Sequence, residues 1–275
     1  MNPAAGSKRV CVCADDFGLN EAGSCSIVQL ASMGAISAVS CVVDGAFAGR
    51  HASALLESGA RTSLGLHLNL TVANGPILHH HLFTWLSRNM LLRRVNREAL
   101  VRELERQSDA FVALFGQAPQ FVDGHEHVHQ FPGIRDVVVA VLKKRFDSQV
   151  AVRSTMPRVW RGAKAQVIAE LGGRTLRRSL RKCGLHANTD FAGVYAFGGR
   201  VPYARRMQAW LRSIAHDGLI MCHPELPAMD QSGNRARANE YEFLASPDWP
   251  ELLAAEGVEL ALFGGVTAAS ALRRR

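Results

Sequence analysis

The sequence predicts an α/β protein built as a (β/α) barrel, in a single domain over residues 1–275. Short apolar runs alternate with amphipathic stretches of helical periodicity along the whole chain, which is typical of a parallel sheet with crossover helices. About six to eight such units in roughly 250 residues favour a barrel over an open sheet. Ionisable residues also fall at the carboxyl ends of the apolar runs, where barrels build their sites.

Each predicted strand is a short apolar run bounded by polar or turn-forming residues. The predicted strands are residues 9–14, 35–43, 63–70, 120–124, 150–154, 190–197, 219–222 and 258–263. The run at 150–154 contains Arg153 at a position where an apolar side chain would be expected. A charged residue inside such a run needs a partner, because an unpaired buried charge is costly.

Each predicted helix follows a strand and carries apolar residues on one face. The predicted helices are residues 21–33, 51–57, 96–115, 134–142, 165–182, 203–216, 235–244 and 250–256. Asn20 and Asn96 are suited to cap the first and third helices, which Gly34 and Gly116 end. A glycine pair at 172–173 predicts a break in the fifth helix.

Seven ionisable residues lie at or near the carboxyl ends of predicted strands: Asp15, Asp16, His67, Asp123, His125, Arg153 and His223. In a parallel barrel these ends meet on one face, so we expect the side chains to surround one site. One carboxylate and two imidazoles from three strands match a catalytic metal centre, which leaves one position open. A second carboxylate could then act as the base. The alternative for the adjacent Asp15 and Asp16 is a helix-capping turn.

The stretch from Asp123 to His129 carries a carboxylate and three histidines at alternate positions. In extended backbone all four side chains would lie on one face. Four polar heads are costly to bury without partners, and imidazole and carboxylate are ligands of a borderline divalent metal. The alternative is a solvated histidine-rich turn before a helix. The three adjacent histidines at 79–81 cannot all face one centre, so we expect them to be exposed.

Composition places the chain among soluble globular proteins, with 48% hydrophobic and 20% charged residues. The six cysteines form no CxxC pair and are all predicted to be buried free thiols. Because the first residues lack the apolar core of a signal peptide, we expect a cytoplasmic location. The uncharged run at 22–43 is long enough to span a bilayer, but its serines and Gly34 favour a helix followed by a buried strand.

The net charge of +8 reflects 32 Lys and Arg against 24 Asp and Glu. One predicted helix face combines four arginines, Arg174, Arg177, Arg178 and Arg181. Such a face attracts nucleic acid or an anionic membrane, although most basic helices are simply solvated. Leu176 and Leu180 could add apolar contact beside it. An aromatic content of 7% and the lack of a nucleic-acid-binding motif argue against nucleic acid.

Four segments form an ordered set of motifs: ADDFGL at 14–19, GLHLNLT at 65–71, DGHEHVH at 123–129 with Pro132, and MCHP at 221–224. They resemble, in the same order and over most of the chain, the motifs of the YdjC-like, or ChbG/HpnK, carbohydrate deacetylases. The resemblance implies a distorted (β/α) TIM-like barrel related to polysaccharide deacetylases. It also implies an enzyme that removes the acetyl group from an N-acetylated sugar.

Carried over by position, the resemblance implies that Asp16, His67 and His125 hold one divalent metal ion, magnesium or zinc. Asp15 matches the catalytic base of the family, and His223 is the expected acid. The metal would polarise the acetamide carbonyl while Asp15 takes a proton from the attacking water.

Four further residues are expected to contact the substrate or to support the ligands: Asp123, His127, His129 and Arg153. On this assignment His127 and His129 do not share a metal ion with His125. Arg153 could pair with Asp15 or with neighbours of His223. Glu225 stands where the family often has glycine after the His-Pro pair, which could alter the fit of the substrate.

The expected reaction is hydrolysis of the N-acetyl group of a chitooligosaccharide-like or lipid-linked amino sugar to a free amine and acetate. Two alternatives are a metal-dependent hydrolase of another amide or ester bond and a non-catalytic, basic nucleic-acid-binding protein. The basic helix favours a lipid-linked substrate and peripheral contact with the inner face of an anionic membrane. The sequence also leaves homodimerisation open, and we expect no nucleic-acid partner.

Overall fold

The structure is a computed structural model and describes residues 7–58, 62–72, 96–146, 149–197, 201–227 and 235–264. Its eight strands are β1 (Lys8–Phe17), β2 (Ala38–Cys41), β3 (Ser63–Leu68), β4 (Phe121–Gly124), β5 (Ala151–Val152), β6 (Phe191–Ala192), β7 (Gly218–Cys222) and β8 (Val258–Leu260). They form one sheet in the order β5-β4-β3-β2-β1-β7-β6, and β8 pairs with the start of β1. Every strand pair is parallel, which confirms the predicted α/β class.

The sheet curls into a distorted barrel, as predicted, with β5 and β6 as its two edges. A short connecting segment bridges these edges in place of a strand. The Val152 N–H donates to the His186 carbonyl (2.9 Å). The side chain of Asn188 accepts from the Ser154 N–H (2.7 Å) and donates to the Ser154 carbonyl (2.8 Å). The barrel is therefore distorted because this segment has no regular ladder with either edge.

Helices follow most of the strands and cover the outside of the sheet. They are α1 (Glu21–Ser32), α2 (Ala48–Ser58), α3 (Arg97–Phe115), α4 (Ile134–Phe146), α5 (Ala163–Ile168), α6 (Arg174–Cys183), α7 (Tyr203–Ser213), α8 (Arg235–Leu244) and α9 (Asp248–Ala255). The side chain of Asn20 accepts from the Gly23 N–H and that of Asn96 from the Ala99 N–H, which confirms both caps. Gly116 ends α3 in the left-handed conformation.

The uncharged run at 22–43 folds as a helix and a strand, not as a membrane span. Most of it forms α1 and β2, and Ile27 and Leu30 of α1 pack into the core. None of the helices in the described part of the chain is long and apolar enough to cross a bilayer. All six cysteines are free, as predicted, and four of them are buried.

Two predicted strands are much shorter in the structure: those at 150–154 and 190–197 retain two residues each. Beside the first of them, His186 and Asn188 take the hydrogen bonds that a neighbouring strand would make. The predicted break at 172–173 is present as a turn of π-helix between α5 and α6. Gly172 has φ +136° there, and a Cβ atom would lie 2.1 Å from the Gln130 carbonyl oxygen, so glycine is required.

The basic helix α6 does not offer the apolar contact expected beside its arginines. Leu176 and Leu180 are buried in the core, so the exposed side chains of the helix are charged or polar. Arg174 pairs with Glu170 (2.6 Å), while Arg178 and Arg181 are exposed. The expectation of a mixed apolar and basic surface is therefore wrong. The histidines at 79–81 lie outside the described residues.

Candidate active site

The carboxyl end of β1 carries two adjacent aspartates, Asp15 and Asp16, which contact different residues. In a regular strand neighbouring side chains point to opposite faces. Here the pairing of β1 with β2 shifts between Ala14 and Phe17, and Asp16 adopts a left-handed backbone with φ 70°. Such a conformation is strained for a residue with a Cβ atom and is common at functional sites. As a result Asp16 approaches two histidines, while Asp15 approaches Arg153 and His223.

Asp16, His67 and His125 converge as potential ligands of one divalent ion. Their ligand atoms all lie within 4.8 Å of one another. The Oδ1 atom of Asp16 is 2.9 Å from Nδ1 of His125 and 3.5 Å from Nε2 of His67. Tetrahedral coordination with bonds of about 2.0–2.1 Å separates ligand atoms by about 3.3 Å. The three residues therefore fit a divalent cation.

The histidine-rich stretch is a tight turn rather than extended backbone. β4 ends at Gly124, and residues His125–Gln130 form a short 3₁₀ segment in which Glu126 and His127 have left-handed backbones (φ 52° and 60°). The three histidines therefore do not share one face. The strand interpretation of this stretch is wrong, because the alternation of side chains that it requires stops at Gly124.

Asp123 lies behind His67 and orients its ring. Oδ1 of Asp123 is 2.6 Å from Nδ1 of His67, which leaves Nε2 of the ring facing Asp16. The Ser40 hydroxyl donates to the same carboxylate oxygen. Burial alone would lower the pKa of His67, but the carboxylates of Asp123 and Asp16 raise it to about 10. The negative surroundings that hold a proton on this imidazole would equally favour a cation at Nε2.

Asp16 itself is buried and held ionised. Burial favours its neutral form, but hydrogen bonds from His125 and His67 keep the pKa of Asp16 well below its usual range. Arg237 of α8 donates to its second oxygen, Oδ2 (3.0 Å), and lies 3.9 Å from Glu225. Glu225 thus helps to hold the arginine that contacts this carboxylate.

Arg153 is fully buried and neutralises two carboxylates at once. It donates to both oxygens of Asp15 (2.5 and 2.6 Å) and lies 2.6 Å from Oδ2 of Asp123. Burial opposes its charge, but the two aspartates hold the pKa of Arg153 well above its usual range. The group of Cys13, Asp15 and Asp123 therefore already surrounds a guanidinium cation, so we do not regard it as a metal site.

Replacing Arg153 by methionine should destabilise the protein by about 3–5 kcal/mol, because two buried carboxylates lose their common partner. Arg153 and His67 hold the pKa of Asp123 below its usual range, so their stabilisation is present above about pH 4 and is lost as the pH falls further. The difference in free energy of unfolding between wild type and Arg153→Met should therefore become smaller in acid. The free energies of unfolding of both proteins, measured by urea denaturation at pH 7 and at about pH 2, test this expectation.

Arg9→Met is the control for that experiment, because it breaks the half-exposed pair with Asp217. Exposed pairs contribute only about 0–1 kcal/mol. Equal costs for the two substitutions would contradict the central role of Arg153 in the buried network.

A cavity of about 430 Å³ opens above these groups. Its polar lining residues are Asp15, Asp16, His67, His125, Glu126, His127, Gln130, Lys164, Tyr195, His223 and Arg237. Phe131, Ile168, Leu171, Val194, Phe197 and Met221 supply most of its apolar wall. Apolar walls with a few convergent polar groups are typical of small-molecule sites.

The remaining predicted residues divide between this cavity and its support. His127 lines the cavity, packs edge-on against Phe191, and has a buried Nδ1 atom with no hydrogen-bond partner among the described residues. Burial lowers the pKa of His127, so its ring is neutral. His129 is buried, and its Nε2 donates to the Arg153 carbonyl (3.0 Å). Asp123, His129 and Arg153 do not line the cavity and support residues that do.

His223 follows β7 and faces the cavity across from the ligand cluster. Its Nε2 atom is 3.9 Å from Oδ2 of Asp15, and its ring packs edge-on against Phe197. Burial lowers the pKa of His223, although Asp16 and Asp15 oppose that effect. At neutral pH the imidazole is therefore mainly neutral.

Among the residues that sequence reasoning missed are Tyr195 and Arg237, which line the cavity, and Glu240, which accepts a hydrogen bond from the His223 N–H. Arg237 and Glu240 belong to a predicted helix far along the chain, and their charges resemble those of any solvated helix. Arg237 is 221 positions from Asp16, which it contacts. No local spacing in the sequence indicates such a contact.

The family model described as YdjC-like protein matches residues 9–255. A Mus musculus protein named carbohydrate deacetylase is 28% identical over 289 residues, which cover 92% of this chain and 93% of the mouse protein. A Serratia marcescens chitooligosaccharide deacetylase is 34% identical over 158 residues, covering 53% of this chain and 62% of that protein.

Among solved structures, an Enterococcus faecalis protein provisionally described as a cellobiose-phosphate cleavage protein superposes with a TM-score of 0.69 at 20% identity. The match covers 94% of this chain and 98% of the other. An uncharacterised Agrobacterium tumefaciens protein has a TM-score of 0.54 at 13% identity, over 99% and 92% of the two chains. At these identities the likeness supports the fold alone.

Proposed function

The chain belongs to the YdjC-like protein family, and from that premise and its site we propose that it is a metal-dependent carbohydrate deacetylase. It would hydrolyse the N-acetyl group of an N-acetylated sugar to a free amine and acetate. The observation that carries the proposal is the convergence of Asp16, His67 and His125 at the cavity, with Asp15 and His223 beside them. Relatives over most of the chain length are named carbohydrate deacetylases, which supports the substrate class.

Asp16, His67 and His125 would hold the metal, magnesium or zinc. With a divalent ion bound, these residues would present Lewis-acid chemistry to the acetamide carbonyl and a nearby water. Imidazole ligands with a carboxylate suit zinc better than magnesium, which prefers oxygen ligands and keeps several waters.

Asp15 would take the proton from the attacking water. Arg153 donates to both of its oxygens, so the carboxylate is fixed in orientation before the reaction. His223, 3.9 Å away, would receive that proton and deliver it to the departing amine nitrogen. A neutral imidazole in the resting site suits this order, because the ring must first accept the proton that it later donates.

His127 would contact the substrate. Its buried Nδ1 atom has no partner among the described residues, and a neutral imidazole can donate or accept one hydrogen bond there. A sugar hydroxyl or the developing oxyanion could fill that position. Phe197, whose side chain is partly exposed in the wall, offers an apolar surface to the carbohydrate.

Replacing His223 by alanine should slow amide hydrolysis far more than the hydrolysis of an aryl acetate. An amine needs a proton to depart, whereas a phenolate leaves without one. We expect kcat for an N-acetylated sugar to fall by ~10²–10⁴, with a much smaller loss for the aryl ester. Asp15→Asn is the control and should slow both, since both reactions need an activated water. Equal losses on the two substrates in His223→Ala would show that His223 is not the acid.

The proposal is tested by acetate release from chitooligosaccharides and from lipid-linked N-acetylated sugars, with and without a chelator. Activity on amides or esters but never on acetylated sugars would favour another hydrolase instead. The exposed cations of α6, Arg178, Arg181 and Lys182, still suit an anionic surface, although its leucines are buried. Sedimentation with anionic vesicles at low and high salt separates a peripheral enzyme from one that acts only on soluble sugars.

A further inference from the structure

Glu240 of α8 is a fully buried carboxylate directly behind the cavity wall. Its Oε1 accepts from the Tyr195 hydroxyl (2.5 Å), and its Oε2 accepts from the backbone N–H of His223 (2.5 Å). Tyr195 and His223 both line the cavity, whereas Glu240 does not. One carboxylate therefore connects two parts of the wall that come from different segments of the chain.

The contact with His223 replaces a strand hydrogen bond. The ladder between β1 and β7 ends at the pair of Ala14 and Cys222, so the next peptide N–H, that of His223, has passed the end of the sheet. A buried N–H without a partner is costly, and Glu240 satisfies it. The same bond fixes the backbone from which the His223 ring extends toward Asp15.

The surroundings of Glu240 are unfavourable for an ionised carboxylate. Tyr195, Tyr203, Trp210 and Phe243 form an aromatic cluster around the tyrosine that binds it. Arg237, one turn earlier on α8, is committed to Asp16 (3.0 Å) and Glu225 (3.9 Å). Burial raises the pKa of Glu240 to about 7, and the hydrogen bonds from Tyr195 and His223 only partly offset it. In the ionised form this residue lowers the stability of the fold.

We propose that Glu240 is a positioning residue for His223, retained for activity at the expense of stability. It holds the His223 backbone and the Tyr195 ring so that the imidazole faces Asp15, and its ionised form is the one that works. This inference rests on the proposed role of His223 in the reaction. Protonation of Glu240 puts a hydrogen on one of the two oxygens that accept these bonds, so one of the two bonds is lost or must reverse its direction.

Other groups around Glu240 do not explain a change near neutral pH. Burial raises the pKa values of Tyr195, Tyr203 and Cys222, which therefore stay neutral. Arg237 faces Asp16 and Glu225, and burial lowers the pKa of His223 below its usual value. Asp15 faces the same region from β1, and its charge acts to raise the pKa of Glu240. Among these described neighbours, Glu240 is the group placed to change charge near pH 7.

The sign of the stability effect follows from the raised pKa. An unfolded glutamate ionises near pH 4.5, whereas Glu240 in the folded protein holds its proton up to about pH 7. The stabilisation from that proton is complete below pH 4.5 and is lost as the pH rises through 7. Glu240→Gln keeps the shape of the side chain without the charge, so it should be more stable than wild type at pH 8. The two proteins should converge near pH 5.

The experiment compares wild type with Glu240→Gln in activity and in thermal melting from pH 5 to pH 9. At pH 8 we expect the variant to melt at a higher temperature and to lose on the order of 10-fold to 100-fold in kcat, because His223 is misplaced. The acid limb of the wild-type kcat profile near pH 7 should be absent in the variant. Glu242→Gln, an exposed change on the same helix, should alter neither property.

Two further measurements test the proposal when no substrate is known or when Glu240→Gln does not fold. The NMR signals of the His223 ring should show a second inflection near pH 7 in wild type and not in Glu240→Gln, whether or not a substrate is known. If Glu240→Gln does not fold, Tyr195→Phe removes one of the two bonds and should move the acid limb to higher pH.

An unchanged kcat profile and unchanged His223 signals in the variants, or a Glu240→Gln protein less stable than wild type at pH 8, would overturn the proposal. Wild type without deacetylase activity, but with the His223 inflection, would contradict the proposed function alone.

Discussion

Replacing His125 by alanine should empty the metal site and abolish most of the activity. His125 would supply one of the three proposed ligand atoms, and its Nδ1 lies 2.9 Å from Oδ1 of Asp16. Three protein ligands are the minimum in most catalytic zinc sites, so the loss of one should release the ion. Metal catalysis is worth several kcal/mol of transition-state stabilisation, so we expect kcat/KM to fall by on the order of 10³ or more.

The matched control is His127→Ala, because His127 lies two positions away and lines the same cavity without belonging to the ligand cluster. Elemental analysis of the purified proteins should find about one metal ion per chain in wild type and in His127→Ala. It should find almost none in His125→Ala. Full metal occupancy in His125→Ala would rule out this ligand assignment. Loss of metal from His127→Ala alone would show that His127, and not His125, is the ligand from this turn.

The second large effect is expected from Asp15→Asn, which should keep the metal and lose turnover. An amide cannot accept the proton of the attacking water, and general-base assistance is worth ~10²–10⁴ in rate. The structure adds a cost in stability, because Arg153 loses one of its two carboxylate partners and keeps only Asp123. Removing one partner from a buried ion pair costs about 3–5 kcal/mol. Activity, metal content and urea denaturation should therefore be measured on the same preparation.

Asp190→Asn separates these two effects. Asp190 is fully buried and pairs with the buried Arg161 (2.8 Å), but it does not line the cavity. That substitution should also lower stability, yet it should leave turnover and metal content close to wild type. If Asp15→Asn loses its metal while Asp190→Asn keeps it, then Asp15 is a ligand and its role as base is wrong.

Much of the fold could be predicted because its signals are local. The caps at Asn20 and Asn96 and the glycine at 116 are decided by neighbouring backbone groups. The alternation of apolar runs and helical periodicity suffices for the α/β class. The length of β5 was not predictable, since it depends on His186 and Asn188, which hydrogen-bond to this edge of the curled sheet from far along the chain.

The candidate site was only partly predictable, for a related reason. Asp16, His67 and His125 stand at strand ends, and parallel strands bring their carboxyl ends together whatever the details of packing. By contrast, the strand ends at Gly124 and the chain turns at Glu126 and His127. The alternation of side chains in the sequence could not locate that point. The sequence placed Asp123, His127, His129 and Arg153 among the residues that contact the substrate or support the ligands, but it could not divide them between these two roles.

By itself, then, the sequence determined the α/β class, the family motifs and the ionisable residues at the strand ends. Only the tertiary structure decided that Arg153 joins Asp15 to Asp123, that Arg237 holds Asp16, and that Glu240 supports His223. These contacts join residues far apart in the chain, and each is favourable only once burial has removed water from both partners. Local residue patterns cannot encode that choice, because it depends on which elements the folded sheet brings together.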